Sequence, residues 1–243
     1  MHDNAWVAAW KVLGADANQH RRNGGWEVFK RIEESHQERT FGGGIDFSRQ
    51  YGEIAKKRAV QYEGFLKELN SLGIKGQYLE IGAGPAVLAV TIVQNYPDVQ
   101  ITAVDLSQEN VSVAEKYVGS KGLQDRIQFV VGDGEDEDLI NTLGKFDLVY
   151  GTFTLHHWKD PRKVIRNLTH AVADGGVLYL YDLRRVWWLY WVPIHSGFWD
   201  SIRAAYIPKE VRGMFHDLGV DQYEIKSVFP FMQSIIVRRD LHI

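Results

Sequence analysis

The stretch Tyr78-Leu79-Glu80-Ile81-Gly82-Ala83-Gly84-Pro85-Ala86-Val87-Leu88-Ala89 decides the fold. Its first four residues are short, apolar and β-prone, the pattern of a buried strand. Two glycines one residue apart then allow a tight turn and close approach of the backbone to a ligand. Pro85 suits the first turn of a following helix, where its missing N–H costs nothing. Strand, turn and helix start together predict a polar cradle, built from the unpaired amides of a helix N-terminus.

The ligand class follows from what surrounds the glycines. A dinucleotide fingerprint has a third glycine three residues after the second, and Val87 stands there instead. A phosphate-gripping loop needs Gly-Lys-Ser/Thr downstream, which is absent. Glu80 precedes the first glycine by two positions. A carboxylate there tolerates a sulfonium and an ammonium but repels a pyrophosphate.

Later segments extend the pattern. Pro85 to Tyr96 reads as a helix and Val99 to Val104 as a second strand ending in Asp105, where a carboxylate can take ribose hydroxyls. Ile127–Val131 reads as a third strand running into Gly132-Asp133-Gly134. Phe146–Tyr150 is a fourth strand, followed by Gly151-Thr152-Phe153-Thr154-Leu155-His156-His157-Trp158-Lys159-Asp160-Pro161. Gly175-Gly176 leads into a fifth strand, Val177–Asp182, and a closing hairpin spans Tyr223–Phe229 and Ser234–Arg239. Strands and helices alternate from residue 78 onward, so the expected class is α/β with a mainly parallel sheet.

Glu80-Ile81-Gly82-Ala83-Gly84-Pro85, Asp105, Asp133 and the Phe146–Pro161 segment resemble, in that order, the motifs of class I S-adenosylmethionine (SAM) dependent methyltransferases. The Leu-His-His-aromatic-x-Asp-Pro run is most similar to the ubiquinone and menaquinone methylase-like group. The resemblance covers residues 78–239. It implies a Rossmann-like, doubly wound, seven-stranded sheet with an antiparallel last strand. It implies SAM as cofactor, with S-adenosylhomocysteine as product. Glu80 would orient the methionine end, with Gly82, Ala83 and Gly84 passing beneath it. Asp105 and Leu106 would take the ribose side. Gly132, Asp133 and Gly134 would address the adenine, with an amide of Gly134 or Glu135 facing the ring nitrogens. Thr152 would close the cofactor site at the fourth strand's end. His156 and His157 are candidate general bases, since histidine titrates near neutral pH. The same pair has the alternative role of fixing the loop beside the cofactor.

Residues 1–72 are expected to form an N-terminal helical cap or lid, and 73–243 the SAM-binding domain. Phe47–Leu72 has helical spacing, with Gly73 as its stop. Tyr51 at the front of that helix is a candidate to face the sulfonium by cation–π attraction, or else a core tyrosine. An aromatic insertion at about 184–206 falls on the substrate side. It fits an acceptor wall, simple packing, a homodimer interface or shallow membrane contact. Asp182, Arg184, Tyr190 and His195 are its candidate substrate-touching groups.

Composition sets the outer bounds. The chain of 243 residues has no cysteine, which excludes disulfides, thiolate nucleophiles and cysteine-held metals. A formal charge of -3 gives no electrostatic footprint for nucleic acid, and no Asn-Pro motif follows the fourth strand. Glu135-Asp136-Glu137-Asp138 has the look of a metal cluster, but acids at a helix N-terminus are favourable through the macrodipole alone, so no metal is expected. No apolar run approaches the ~20 residues that span a bilayer, and Met1-His2-Asp3-Asn4 lacks signal-peptide character, which makes a cytoplasmic location the expectation. The expected activity is methyl transfer to a small apolar or aromatic acceptor. A methyltransferase acting on a protein, and a SAM-binding sensor or complex subunit, stay open as alternatives.

Overall fold

The computed structural model of the chain describes residues 31–32, 62–191 and 197–240. Seven strands form one sheet in the order β3-β2-β1-β4-β5-β7-β6. They are β1 Gln77–Ile81, β2 Gln100–Asp105, β3 Ile127–Val131, β4 Phe146–Thr152, β5 Val172–Leu183, β6 Tyr223–Val228 and β7 Met232–Arg238. Pairing is parallel through β3, β2, β1, β4 and β5, while β7 runs antiparallel to both β5 and β6. This is the doubly wound sheet with an antiparallel last strand that the sequence implied.

Among the described residues seven α-helices cover it: α1 Glu63–Leu72, α2 Val87–Asn95, α3 Gln108–Ser120, α4 Glu137–Leu143, α5 Pro161–Ala171, α6 Gly197–Ala204 and α7 Pro208–Asp217. Each faces the sheet with an apolar stripe, because the central parallel strands must be buried on both sides. On one face Phe65 and Leu69 of α1, Leu88 and Ile92 of α2 and Val118 of α3 pack with Tyr78, Tyr150 and Tyr179. On the other, Ile140 of α4, Leu168 of α5 and Phe215 of α7 pack with Leu79, Val149 and Leu178. Phe65 stacks on Tyr179 with centroids 4.6 Å apart and planes within 6°. Glu68 of the same helix accepts hydrogen bonds from Ser234 Oγ, the Tyr179 hydroxyl and Lys226 Nζ, so α1 is bolted across three strands.

Local signals explain the element ends. Gly73 caps α1 in a left-handed conformation (φ 64°) and donates to the Leu69 carbonyl, as its position after the helical pattern predicted. Asp160 caps α5 by accepting from Lys163 N, with Pro161 at the first helical position. Other expectations need correction. Pro85 does not open the helix: Gly84-Pro85 is a turn, and α2 begins at Val87. Ala86 between them has φ 58°, a left-handed conformation normally reserved for glycine. The loop's third conformational demand therefore falls at Ala86, one residue before the place where the dinucleotide pattern has glycine. The fourth strand runs on to Thr152, and the fifth starts at Val172. Of the expected cap, the described residues include Arg31, Ile32 and the span from Tyr62; Phe47–Gln61, with Tyr51, lies outside them, as does His195.

Candidate active site

The sheet order reverses between β1 and β4. In an open α/β sheet, the crevice beyond the carboxyl ends of the strands at such a point is where ligands bind. Glu80, Asp105 and Thr152 stand at the carboxyl ends of β1, β2 and β4. Glu80 sits near the end of β1 and is its register partner Tyr150's neighbour across the sheet. Burial drives the Glu80 carboxyl up to about 8, nearby Asp105 adds to the rise, and the Tyr150 hydroxyl partly opposes it. Among the described residues that hydroxyl and Glu80 Oε2 nevertheless stand without a hydrogen-bond partner; electrostatic proximity exists between them, but hydrogen-bond geometry does not.

The glycine loop ahead of α2 uses its own amides within the protein. The Gly82 and Ala83 amides both donate to the Val104 carbonyl, at 2.8 and 3.2 Å. Gly84 N donates to Asp105 Oδ2 at 2.7 Å, and Ala86 N to the Ala83 carbonyl at 3.0 Å. These amides are spent on protein acceptors, so the loop offers shape rather than an anion nest. Its need for glycine is steric: Gly82 has φ 73°, and a Cβ on it would lie 2.2 Å from Thr154 Cγ2.

Asp105 is 8% exposed and tightly used. Besides Gly84 N, it accepts from Ser107 N and Asn110 Nδ2, both at 3.0 Å on Oδ1. A carboxylate has about four acceptor directions, so three are filled and roughly one remains for a ribose hydroxyl. The two-hydroxyl contact expected from sequence thus requires a change of partners at this acid. Leu106 beside it is 71% exposed, and Val131, paired in register with Asp105, is 41% exposed. Together they give the crevice an apolar flank; the sequence reading had named Leu106, but not Val131, as a cofactor-side residue. Gly132 N donates to the Asp105 carbonyl at 3.0 Å. Asp133 folds back to accept from Glu135 N at 2.9 Å, so that amide is already taken; Gly134 is buried, its carbonyl held by Asn167 Nδ2. In the acidic run, Asp136 caps α4 and Glu135 Oε1 accepts from Asp160 N. Among the described residues no three acidic or histidine side chains gather as a metal site.

Thr152 ends β4 and is buried. Phe153 follows with φ 57°, its N–H donating to the Tyr181 carbonyl at 3.0 Å. Non-glycine residues held this way cluster at functional sites. Its ring lies edge-on to Tyr62, 6.0 Å between centroids, so Tyr62 is the aromatic at the head of the described α1. The two histidines part company. His156 is buried and bound to Asp182: its backbone N donates to Oδ2 at 2.9 Å, and its Nδ1 meets Oδ1 at 2.7 Å. Leu183 N also donates to Oδ1, so the carboxylate acts throughout as acceptor and the proton belongs on Nδ1. Asp182, expected as a substrate-touching group, is buried and its carboxylate is taken up by the His156 turn and Leu183 N. His157 is exposed, its ring 4.0 Å from that of His156. Arg31 reaches the same turn, with Nη2 donating to the His156 carbonyl at 3.1 Å and the guanidinium 4.3 Å over Tyr206.

Beyond β5, Arg185 is buried in an ion pair with Glu210, and Arg203 lies 5.9 Å from the Tyr190 ring. Arg184 keeps a buried, unpartnered Nε. Trp187, Trp188 and Phe198 are substantially exposed, and Phe198 and Trp199 pack edge-on to Phe231.

Residues 79–178 match the family model described as a methyltransferase domain. Ajmaline N-methyltransferase of Rauvolfia serpentina is 28% identical over 102 residues, 42% of this chain and 34% of that protein. The chloroplastic 2-methyl-6-phytyl-1,4-hydroquinone methyltransferase 1 of Oryza sativa subsp. japonica is 25% identical over 169 residues, 67% of this chain and 46% of that protein. The alignments thus span less than half the length of either relative. A SAM-dependent methyltransferase from Aquifex aeolicus has the same fold, with a TM-score of 0.61 at 16% identity, covering 80% of this chain and 98% of that one.

Proposed function

We propose that this chain, whose residues 79–178 match the model of a methyltransferase domain, is a class I methyltransferase that transfers a methyl group from SAM to a small apolar or aromatic acceptor. The observation that carries the cofactor assignment is Glu80, a buried carboxyl with an unpartnered oxygen beneath a glycine loop whose amides are already used. A dinucleotide needs free amides for its pyrophosphate and no acid below them. SAM needs the reverse: an acceptor for a cationic amino-acid end and a loop without side chains. The exposed Leu106 and Val131 supply an apolar flank for a planar base.

The cofactor, when bound, supplies an activated methyl on a sulfonium. Glu80 would hold the amino-acid end, Asp105 a ribose hydroxyl, and Asp133 the adenine edge. The task left to the protein is to place the acceptor in line and exclude water, and good alignment alone is worth up to roughly 7–11 kcal/mol. Phe153 and Tyr62 sit where the acceptor would meet the end of β4, and the Phe198, Trp199 and Phe231 cluster extends the apolar side. Of the two histidines, His157 is the better candidate for proton removal, because His156 is built into the Asp182 pair. The N-terminal segment is read as a cap, supported by the grip of Arg31 on the His156 turn.

Calorimetric titration with SAM and NADH tests the first half of this reading. Micromolar SAM binding without NADH binding is expected; NADH binding alone would overturn it. A methyl-transfer screen over phenols, quinols, amines and thiols tests the second half. SAM binding with turnover only on a protein acceptor, or with no turnover on any, would replace the small-molecule assignment by a protein methyltransferase or a SAM-binding subunit.

A further inference from the structure

Glu80 and Tyr150 are register partners on adjacent parallel strands, so their side chains leave the same face of the sheet. They are 2% and 0% exposed. Among the described residues Glu80 Oε2 and the Tyr150 hydroxyl both lack hydrogen-bond partners, which is costly for polar groups shut away from water. Tyr150 cannot turn its hydroxyl to solvent, since its ring is packed against Phe65 at 5.4 Å and edge-on to Tyr78 at 6.2 Å. Both unmet groups lie at the switch point under the glycine loop.

We propose that Tyr150 is a positioning residue of the cofactor site: its hydroxyl and the Glu80 carboxylate together receive the ammonium of the cofactor's amino-acid portion. The inference rests on the SAM reading above. An ammonium brings three donors and no acceptor; an ionised carboxylate only accepts; a phenol does both. The hydroxyl can therefore donate to Glu80 while accepting from the ammonium, which leaves neither oxygen unmet.

A proton is linked to this contact. Among the described residues the ionisable groups around Glu80 are Asp105 from β2 and Tyr150 from β4, with Tyr78 and Tyr62 behind Tyr150; α2 carries no titratable side chain. With its carboxyl near 8, Glu80 holds a proton at neutral pH and gives it up when a cation arrives.

The test is isothermal titration of wild type and Tyr150→Phe with S-adenosylhomocysteine and with 5′-methylthioadenosine, which shares the thioadenosine but has no ammonium. Measurements in phosphate and in Tris at about pH 7 count the protons exchanged, since the two buffers differ in ionisation enthalpy. Tyr150→Phe is expected to weaken S-adenosylhomocysteine at least about tenfold, the scale of one hydrogen bond to a charged group, and 5′-methylthioadenosine less than about twofold. Wild type is expected to release protons with the first ligand and none with the second. Unchanged S-adenosylhomocysteine affinity in the variant overturns the inference, and so does an equal loss for both ligands, which would mark a merely structural hydroxyl. Should the variant not fold, the wild-type proton count decides: equal release with both ligands, or none with either, overturns it. Binding of neither ligand by wild type removes the SAM reading as well, whereas binding of both with no effect of Tyr150→Phe removes this inference alone.

Discussion

Two buried polar clusters lie side by side at the carboxyl end of the sheet, one complete and the other not. At the junction of β4 and β5, Asp182 takes the His156 backbone N, the His156 ring and the Leu183 N, so the described contacts of that acid form a closed set. At the junction of β1 and β4, Glu80 and Tyr150 are equally buried and leave two oxygens unmet. Folding alone explains the first cluster, because a buried charge is tolerable only when paired. It does not explain the second. The difference separates scaffold from receptor: the His156 turn is held by its own protein, while the Glu80 pair awaits a group from outside.

The largest effect expected is at the complete cluster. Asp182→Ala strands several buried donors at once and should lower unfolding free energy by roughly 3–5 kcal/mol. Calorimetry should show this as a fall in Tm of roughly 6–20 °C for a chain of this size. A loss below about 1 kcal/mol would dissolve the distinction between the clusters, since surface sites change that little.

At the incomplete cluster the sign is the opposite and depends on pH. The Glu80 carboxyl is raised from 4.5 to about 8 in the folded chain, so between these values the folded state binds more protons than the unfolded one. Its contribution to stability is full below about 4.5 and is lost as pH rises toward 8. Glu80→Gln removes that dependence. The stability of wild type relative to the variant should therefore fall across this window, by at most about 1.4 kcal/mol per pH unit, read from urea denaturation at successive pH values. Parallel curves would mean that Glu80 is already satisfied in solution and is no receptor.

The histidines sharpen the same contrast. His157→Ala should leave stability within about 0.5 kcal/mol, as at other exposed positions, whereas His156→Ala should destabilise through loss of the Asp182 contact. If His157 removes the acceptor's proton, its loss lowers turnover by about 10²–10⁴-fold without changing SAM affinity. Full turnover in His157→Ala would return both histidines to a loop-fixing role. The smallest effect belongs to Phe229→Ser on the exposed β6–β7 hairpin, within about 0.5 kcal/mol by thermal melting; a larger change would tie that hairpin into an assembly.

Sequence reading reached the architecture because hydrophobic period and turn chemistry are local. Strand, glycine turn and helix were legible at Tyr78–Ala89, and Gly73 marked a helix end through its own backbone restriction. It misplaced the start of α2, because a proline's fitness for a first helical turn does not reveal that Ala86 takes a left-handed conformation before it. The placing of Glu80, Asp105 and Asp133 at or just beyond the carboxyl ends of the first three strands was readable. Their occupancy was not. That Asp105 is nearly saturated depends on Gly84, Ser107 and Asn110 arriving together, and that Asp182 serves His156 depends on a contact spanning twenty-six residues.

By itself the sequence determined the alternation of elements, the acids at the strand ends and the absence of cysteine chemistry, since each is a property of residue type and spacing. Only the tertiary structure decided which amides and carboxylates are spent and which remain. Hydrogen-bond partners are assigned by strand register, and register brought Tyr150, a residue with no motif to announce it, beside Glu80.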